Sequence, residues 1–448
     1  MPIRLPPVYI LEKPEQWYPP GFFILCAFIP QRWLDRYFWA LNHVIDLLTV
    51  GIGFALCASA GLPALGAFAV VVYALAPGLI LEYANLTTRP FGALLLTAFL
   101  VLAFYGMEDW RFAVAAAPAG LILLYSHKLS SQQLWFAAPV LALMTADWRW
   151  VVWPFLLYLL ALALWPRGFW RIVRAHAITV RFWDRYWPLL GAHAVRQSSI
   201  YSDGKTRIQF YHDDGWRDVV QFGKDLLHQN YFVVPLVGFL ILRRPTAPMD
   251  MFLLGWILSV YLAATLIHFV HALRGIGLGR QYLKFALVPT LVFLVLHVSE
   301  FDLPLMAILS AAAVLEARQY VLIARNLRRE QPGQVGRSSV ELQSLVDIFS
   351  PGVHRVMCLP AHLSDLVAYS GRVATYWGGH SEDFDERLAA FLPVLCRRIE
   401  DYAAEDGLTH LLIDQRYVTA EELQLPNKHP LKQAGNYALF SLAPRKPS

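Results

Sequence analysis

Carboxylates and cations recur beside apolar runs in this chain, in combinations suited to handling a phosphate. Glu82 and Arg89 share the short stretch LEYANLTTRP, and His127 and Lys128 share LLYSHKLSSQQ. Arg274, Arg280, Tyr282 and Lys284 lie in LRGIGLGRQYLKFALVP. Ahead of them all, Glu12 and Glu15 precede the WYPPGF turn at residues 17–22, in which Tyr18 stands beside two prolines. Ionisable groups within or beside membrane-length apolar runs are costly, which makes them functional candidates. Cations of this kind hold a phosphate or diphosphate leaving group. One carboxylate would then take a proton from an acceptor hydroxyl or amine. The competing reading for each residue is a position at the lipid headgroup boundary, where Lys and Arg snorkel without catalytic purpose.

The elements that would carry these residues follow from composition. Hydrophobic residues make up 57% of the 448-residue chain and charged residues only 16%, with a mean hydropathy of +0.43. Soluble domains carry about 25% charged residues, so lipid is the solvent for much of this chain. Fifteen Trp and twenty Tyr suit many membrane–water interfaces. A formal charge of +5 is modest and points to no nucleic-acid partner. The first twenty residues lack the apolar core of a cleavable signal peptide.

A span needs roughly 20 apolar residues. Apolar blocks near 42–61, 63–81, 90–106, 111–125, 132–147, 148–166, 230–243, 250–270, 282–298 and 303–324 predict ten spans, with prolines at several edges, where a missing N–H is tolerated. Residues 1–41 read as part of a first extracytoplasmic loop, in which the apolar run 22–29, too short to cross, forms a re-entrant or interfacial helix. Residues 167–229 open with Arg alternating with large apolar residues, a basic amphipathic helix for a headgroup surface, and continue as a polar connector. After a linker at 325–339, residues 340–448 alternate element types. Strands are predicted over 354–360, 372–377, 408–414 and 437–442, and helices over 362–370 and 386–405. The fold class is therefore a polytopic α-helical membrane protein of about ten spans with a small C-terminal α/β soluble domain.

Other motifs read blandly. The four cysteines (Cys26, Cys57, Cys358, Cys396) are too scattered for a metal motif and read as buried free thiols, with a Cys358–Cys396 pair as the alternative. His212–Asp213–Asp214 has metal-ligand residue types but lies in a polar connector, so no metal or other cofactor is expected. Gly275, Gly277 and Gly279 follow no strand, which excludes a nucleotide-binding fold and leaves a flexible connector.

Taken in order, the YPPG turn, the Asn42–His43–Asp46–Leu47 span start, the Glu82…Arg89–Pro90 loop, His127–Lys128 and the RQYLKFALVP stretch resemble the GT-C superfamily. Its members are polytopic transferases that use polyprenyl-phosphate-linked sugars, among them protein O-mannosyltransferases and lipid A aminoarabinose transferases. The segments LPAHLSDLVAYSG, YWGGH and LLIDQRYV look like the soluble extracytoplasmic domain of bacterial members. The resemblance implies transfer of a sugar from a polyprenyl-phosphate donor to an extracytoplasmic acceptor, in the inner membrane of a bacterium. Arg89, Arg280 and Lys284 would hold the carrier phosphate, assisted by His127, Lys128, Arg274 and Tyr282, with Tyr18 lining a sugar site. Family members open with a transmembrane helix and an acidic pair that supplies the base. This chain starts inside the corresponding loop, so either its start is truncated or misassigned or Glu15 or Glu12 serves as base, while Glu82 binds or orients. The count of basic residues favours a cytoplasmic placement of the basic loops; the resemblance places them outside, where lipid phosphate gives the cations a purpose. Two other functions stay open: a lipid or sugar transporter or flippase, for which helices broken within the membrane would speak, and an inactive GT-C-like scaffold.

Overall fold

The computed structural model describes residues 3–4, 9–10, 15–76, 79, 87–186, 216–351, 354–360, 363–370, 372–376 and 398–442. The chain divides into two compact units. A helical unit comprises Pro19–Trp170 and Tyr211–Leu327, and a sheet unit comprises Met1–Tyr18, Arg171–Phe210 and Arg328–Ser448.

The helical unit begins with α1 (Gly21–Ala27), α2 (Gln31–Ser59) and α3 (Pro63–Ala74), followed by α4 (Arg89–Tyr105), α5 (Trp110–Leu124), α6 (Lys128–Thr145) and α7 (Arg149–Leu164). The chain passes through α8 (Pro166–Tyr186) and returns as α9 (Trp216–Gln229), α10 (Val233–Leu242) and α11 (Pro248–Phe269). Two 3-10 helices, His271–Ile276 and Gly279–Ala286, lead into α12 (Leu287–His297), and α13 starts at Leu303. The local reasons are visible. Pro occupies the first turn of α3, α4 and α11, where its missing N–H costs nothing. Asp109 caps α5 by accepting from the Arg111 amide.

Among the described residues four segments are long and apolar enough to cross a bilayer: Arg36–Ser59, Pro248–Phe269, Gly279–Glu300 and Leu303–Asn326. The bent pair α9–α10 makes a fifth if counted as one span. This corrects the ten spans predicted from hydropathy. The apolar blocks at 63–81, 90–106, 111–125 and 148–166 fold as helices of 12, 17, 15 and 16 residues. At 1.5 Å per residue, even the longest reaches only about 26 Å, short of a hydrocarbon core of about 30 Å. The block at 132–147 lies in α6, whose first turns carry Lys128, Ser130, Ser131, Gln132 and Gln133. The block at 230–243 is only the second limb of the bent pair. The chain is thus a helical protein with several membrane-length apolar helices and a small sheet.

α11 and Gly279–Glu300 form the centre of this unit, 61% and 72% buried, while Leu303–Asn326 is 11% buried and turns most of its surface outward. α11 packs on α6 and on the 3-10 helix Gly279–Ala286, α4 packs on α5, and α2 on α3 and α4. Gln133 and Ser259 join α6 to α11 through a buried hydrogen bond of 3.1 Å. Gly279 makes the close approach to α11 possible, because a Cβ there would collide with the Ala264 carbonyl. α9, read from sequence as polar connector, is a helix whose Phe222 is buried with Ala264 and Leu283.

In the sheet unit, five strands run β4–β3–β5–β7–β6. β3 (His354–Leu359) lies parallel to β4 (Val373–Ala374) and to β5 (His410–Asp414). β7 (Tyr437–Ser441) pairs antiparallel with β5 and with β6 (Lys432–Ala434). β3, α14 (Leu363–Tyr369), β4, β5 and β7 fall where the alternating pattern predicts them, and β6 is additional. Of the helix predicted at 386–405, α15 (Ile399–Asp406) lies among the described residues. Leu345, Val356, Cys358, Val367 and Leu412 form the core. A pair of short strands, β1 (Ile3–Arg4) and β2 (Glu15–Gln16), also belongs to this unit. The polar stretch 328–339, read as linker, is helical and continues α13 (Leu303–Val346). Cys26, Cys57 and Cys358 are buried free thiols; Cys396 and His212–Asp213–Asp214 lie outside the described residues.

Candidate functional site

Three residues one or two turns apart give α2 a buried polar stripe. Asn42, Asp46 and Thr49 follow the 4–3 spacing of a helix face, and they are 0%, 4% and 2% exposed. The Tyr73 hydroxyl of α3 donates to Asp46 Oδ1 at 3.4 Å. Opposite stands Lys284, whose Nζ lies 5.6 Å from the centroid of the Phe285 ring. Asp46, Thr49, Tyr73, Thr97 and Lys284, with Ala93 of α4, line one small pocket with room for about one water molecule.

Arg89 is the first residue of α4, one turn from Ala93, and Lys128 is the first residue of α6. The two lie close enough for the Arg89 charge to act on Lys128. Each also stands at the positive end of a helix macrodipole, where a cation is disfavoured and an anion stabilised. Among the described residues Lys128 has no hydrogen-bond or ion-pair partner. Next to it His127, 2% exposed, caps α6: its Nδ1 accepts from the Ser130 amide at 3.3 Å. Nδ1 as acceptor leaves the ring hydrogen on Nε2. Gly92 gives His127 its room, since a Cβ at that position would collide with His127 and Ser130. The turn that precedes α1 docks on the same loop, with the Gly21 amide donating to the Tyr125 carbonyl at 2.5 Å.

Tyr282, fully buried, donates its hydroxyl to Gln132 Oε1 at 2.6 Å and so ties the 3-10 helix to α6. Arg280 is exposed on that segment. The backbone of Arg274 lies in the 3-10 helix His271–Ile276; its side chain is outside the described set.

The structure therefore brings Arg89, His127, Lys128, Tyr282 and Lys284 into one unit, on helix ends and a 3-10 segment that pack together. Glu15 and Tyr18 belong to the sheet unit. There Glu15 pairs with Arg171 at 3.2 Å, Arg171 covers the Trp17 ring at 4.9 Å, and Tyr18 meets His176 edge-on at 6.5 Å. Glu12 and Glu82 lie outside the described residues. Three participants go beyond the candidates taken from sequence: Asp46, Tyr73 and Gln132. For Asp46 the signal was present, because a carboxylate inside an apolar run with Asn four residues before and Thr three after marks a single polar face. Comparison of the chain with protein-family models, with curated proteins and with solved structures finds no match.

Proposed function

We propose that this chain is a membrane glycosyltransferase of GT-C type that moves a sugar from a polyprenyl-phosphate carrier to an acceptor. The juxtaposition of Arg89 and Lys128 at two helix N-termini supports this reading most strongly. Two adjacent cations on two positive helix ends repel one another, and a bound phosphate turns that repulsion into four favourable interactions. The pocket one turn away holds Asp46, a carboxylate placed to accept a proton from an acceptor hydroxyl, and Lys284, a second cation for charge developing on the leaving group. Asp46 joins Glu12, Glu15 and Glu82 as a candidate base. Transfer from a radiolabelled polyprenyl-phosphate sugar by the full chain in detergent tests the reading. Arg89→Ala and Arg280→Ala should each abolish transfer while the protein still inserts and purifies normally; full activity in both removes the phosphate assignment.

A second reading has one observation in its favour. α9 and α10 meet at 97° across residues 230–232, and helices broken within a membrane are a feature of transporters. Movement of intact polyprenyl-phosphate lipid between leaflets of proteoliposomes, without cleavage of its sugar bond, would favour a flippase over a transferase.

A further inference from the structure

Glu316 lies on α13, the most outward-facing of the membrane-length helices, and yet it is 1% exposed. With Leu305 and Ala312 it marks the narrow stripe by which this helix meets the bundle. A carboxylate on the packing stripe of an apolar helix is costly wherever it serves no purpose. Its Oε2 accepts from the Tyr231 amide at 3.2 Å, within the break between α9 and α10. Its Oε1 is buried and has no hydrogen-bond partner among the described residues.

The surroundings are rich in oxygen. Asn230, 1% exposed, donates from Nδ2 to the Tyr261 hydroxyl at 3.4 Å, and its Oδ1 accepts from the Phe232 amide at 3.1 Å. Glu316 is close enough to act electrostatically on both Tyr231 and Tyr261. The carbonyls of Asn230, Tyr231 and Phe232 each accept one amide, from Val233, Val234 and Leu236, and each oxygen keeps a second lone pair. In a membrane interior, irregular backbone of this kind persists where it is buried in protein or lines a water-filled cavity, and carboxylate, hydroxyl and carbonyl oxygens in such a place replace the hydration shell of a small cation. Among the described residues no three His, Cys, Asp or Glu side chains converge. One carboxylate with neutral oxygens matches a single positive charge.

We propose that Glu316 Oε1, with oxygens of Tyr261 and of the 230–232 break, binds a monovalent alkali cation that fixes the angle between α9 and α10. The site shares no residue with the Arg89–Lys128 pair, and the inference holds whether that pair serves transfer or transport.

The test uses the full chain in detergent at pH 8 and constant ionic strength, with sodium, potassium or rubidium chloride replacing N-methylglucamine chloride. Thermal unfolding is followed by tryptophan fluorescence. At least one alkali cation should raise the midpoint saturably, and Glu316→Gln, which keeps the Tyr231 contact, should flatten that response. Tyr261→Phe should move the half-saturating concentration about fivefold upward. Equal midpoints in all four salts, or a Glu316→Gln protein that responds like wild type, would overturn the proposal. If Glu316→Gln yields no folded protein, equilibrium binding of radioactive sodium and rubidium to wild type and Tyr261→Phe decides. Saturable binding of either ion that weakens in Tyr261→Phe supports the site, and the absence of saturable binding of both, or equal binding by the two proteins, refutes it.

Discussion

Tyr282 and Gln132, 150 positions apart, are held by a 2.6 Å hydrogen bond from hydroxyl to amide oxygen. This contact ties the Gly279–Ala286 segment, which packs chiefly on α11, to α6 as well, and the same segment carries Lys284. Tyr282→Phe preserves the ring packing against Phe136 and Phe285 but strands the Gln132 oxygen. The expected cost is about 1–3 kcal/mol in stability, read as a lower midpoint in thermal unfolding. An unchanged midpoint would mean that water replaces the hydroxyl and the contact positions nothing.

Lys128→Gln should separate stability from binding. Removing a cation from the N-terminus of α6 and from the field of Arg89 should stabilise the ligand-free protein by about 0.3–1 kcal/mol. The same change should weaken retention on vesicles that contain polyprenyl phosphate. A fall in both quantities together would make Lys128 a structural residue.

Asp46→Asn keeps the shape of the pocket and the Tyr73 hydrogen bond but removes the proton acceptor. Loss of a general base of this kind lowers turnover by about 100-fold or more. Donor binding should change little. Retained turnover would return the role of base to Glu12, Glu15 or Glu82.

Gly92→Ala would press a methyl group into His127 and Ser130. Overpacking of this kind costs about 1–3 kcal/mol, and the displaced cap should weaken donor binding as well. Hydrogen exchange in the first turn of α6 is the direct readout, and faster exchange is expected.

The sheet unit carries its own pH dependence. Burial, with the charge of His354 as a second cause, holds His410 down at about 4, against an ordinary 6.5. The unfolded chain therefore takes up this proton first. The stability that His410 contributes is complete above pH 6.5 and is lost as pH falls toward 4, amounting to about 3 kcal/mol at most. Exchange of the β3 and β5 amides in the full chain should accelerate between pH 6.5 and 4.5, after correction for intrinsic rates, and His410→Gln should blunt the change.

The strand pattern of the sheet unit was legible because buried strands such as His410–Asp414 are continuous apolar runs that no membrane competes for. The number of spans was not legible, and the reason is geometric. Hydropathy sees apolar content, while crossing also requires length, and α5 and α7 stop after 15 and 16 residues. The helix at 328–339 was hidden by its polarity. Of the site, Arg89, His127, Lys128, Tyr282 and Lys284 could be read from residue type beside apolar runs. Asp46 was read only as part of a span-start motif and given no role, because its carboxylate stands out only when Asn42 and Thr49 are placed on the same face. Glu316 was overlooked because it is near Arg318 in sequence and passes for a surface charge; only the three-dimensional packing separates the buried residue from the exposed one.

The shortness of α4, α5 and α7 reaches beyond the protein. Were helices of this length to lie in a bilayer, they would fall about 4–8 Å short of its apolar thickness, and lipid adjusts to such a deficit more readily than helices stretch. The surrounding leaflet would then be drawn inward at the ends of these helices, one of which begins with Arg89. A long-chain lipid diffusing past would find its headgroup already lowered to the level of that guanidinium, and would enter sideways with little of the climb that a thicker membrane imposes.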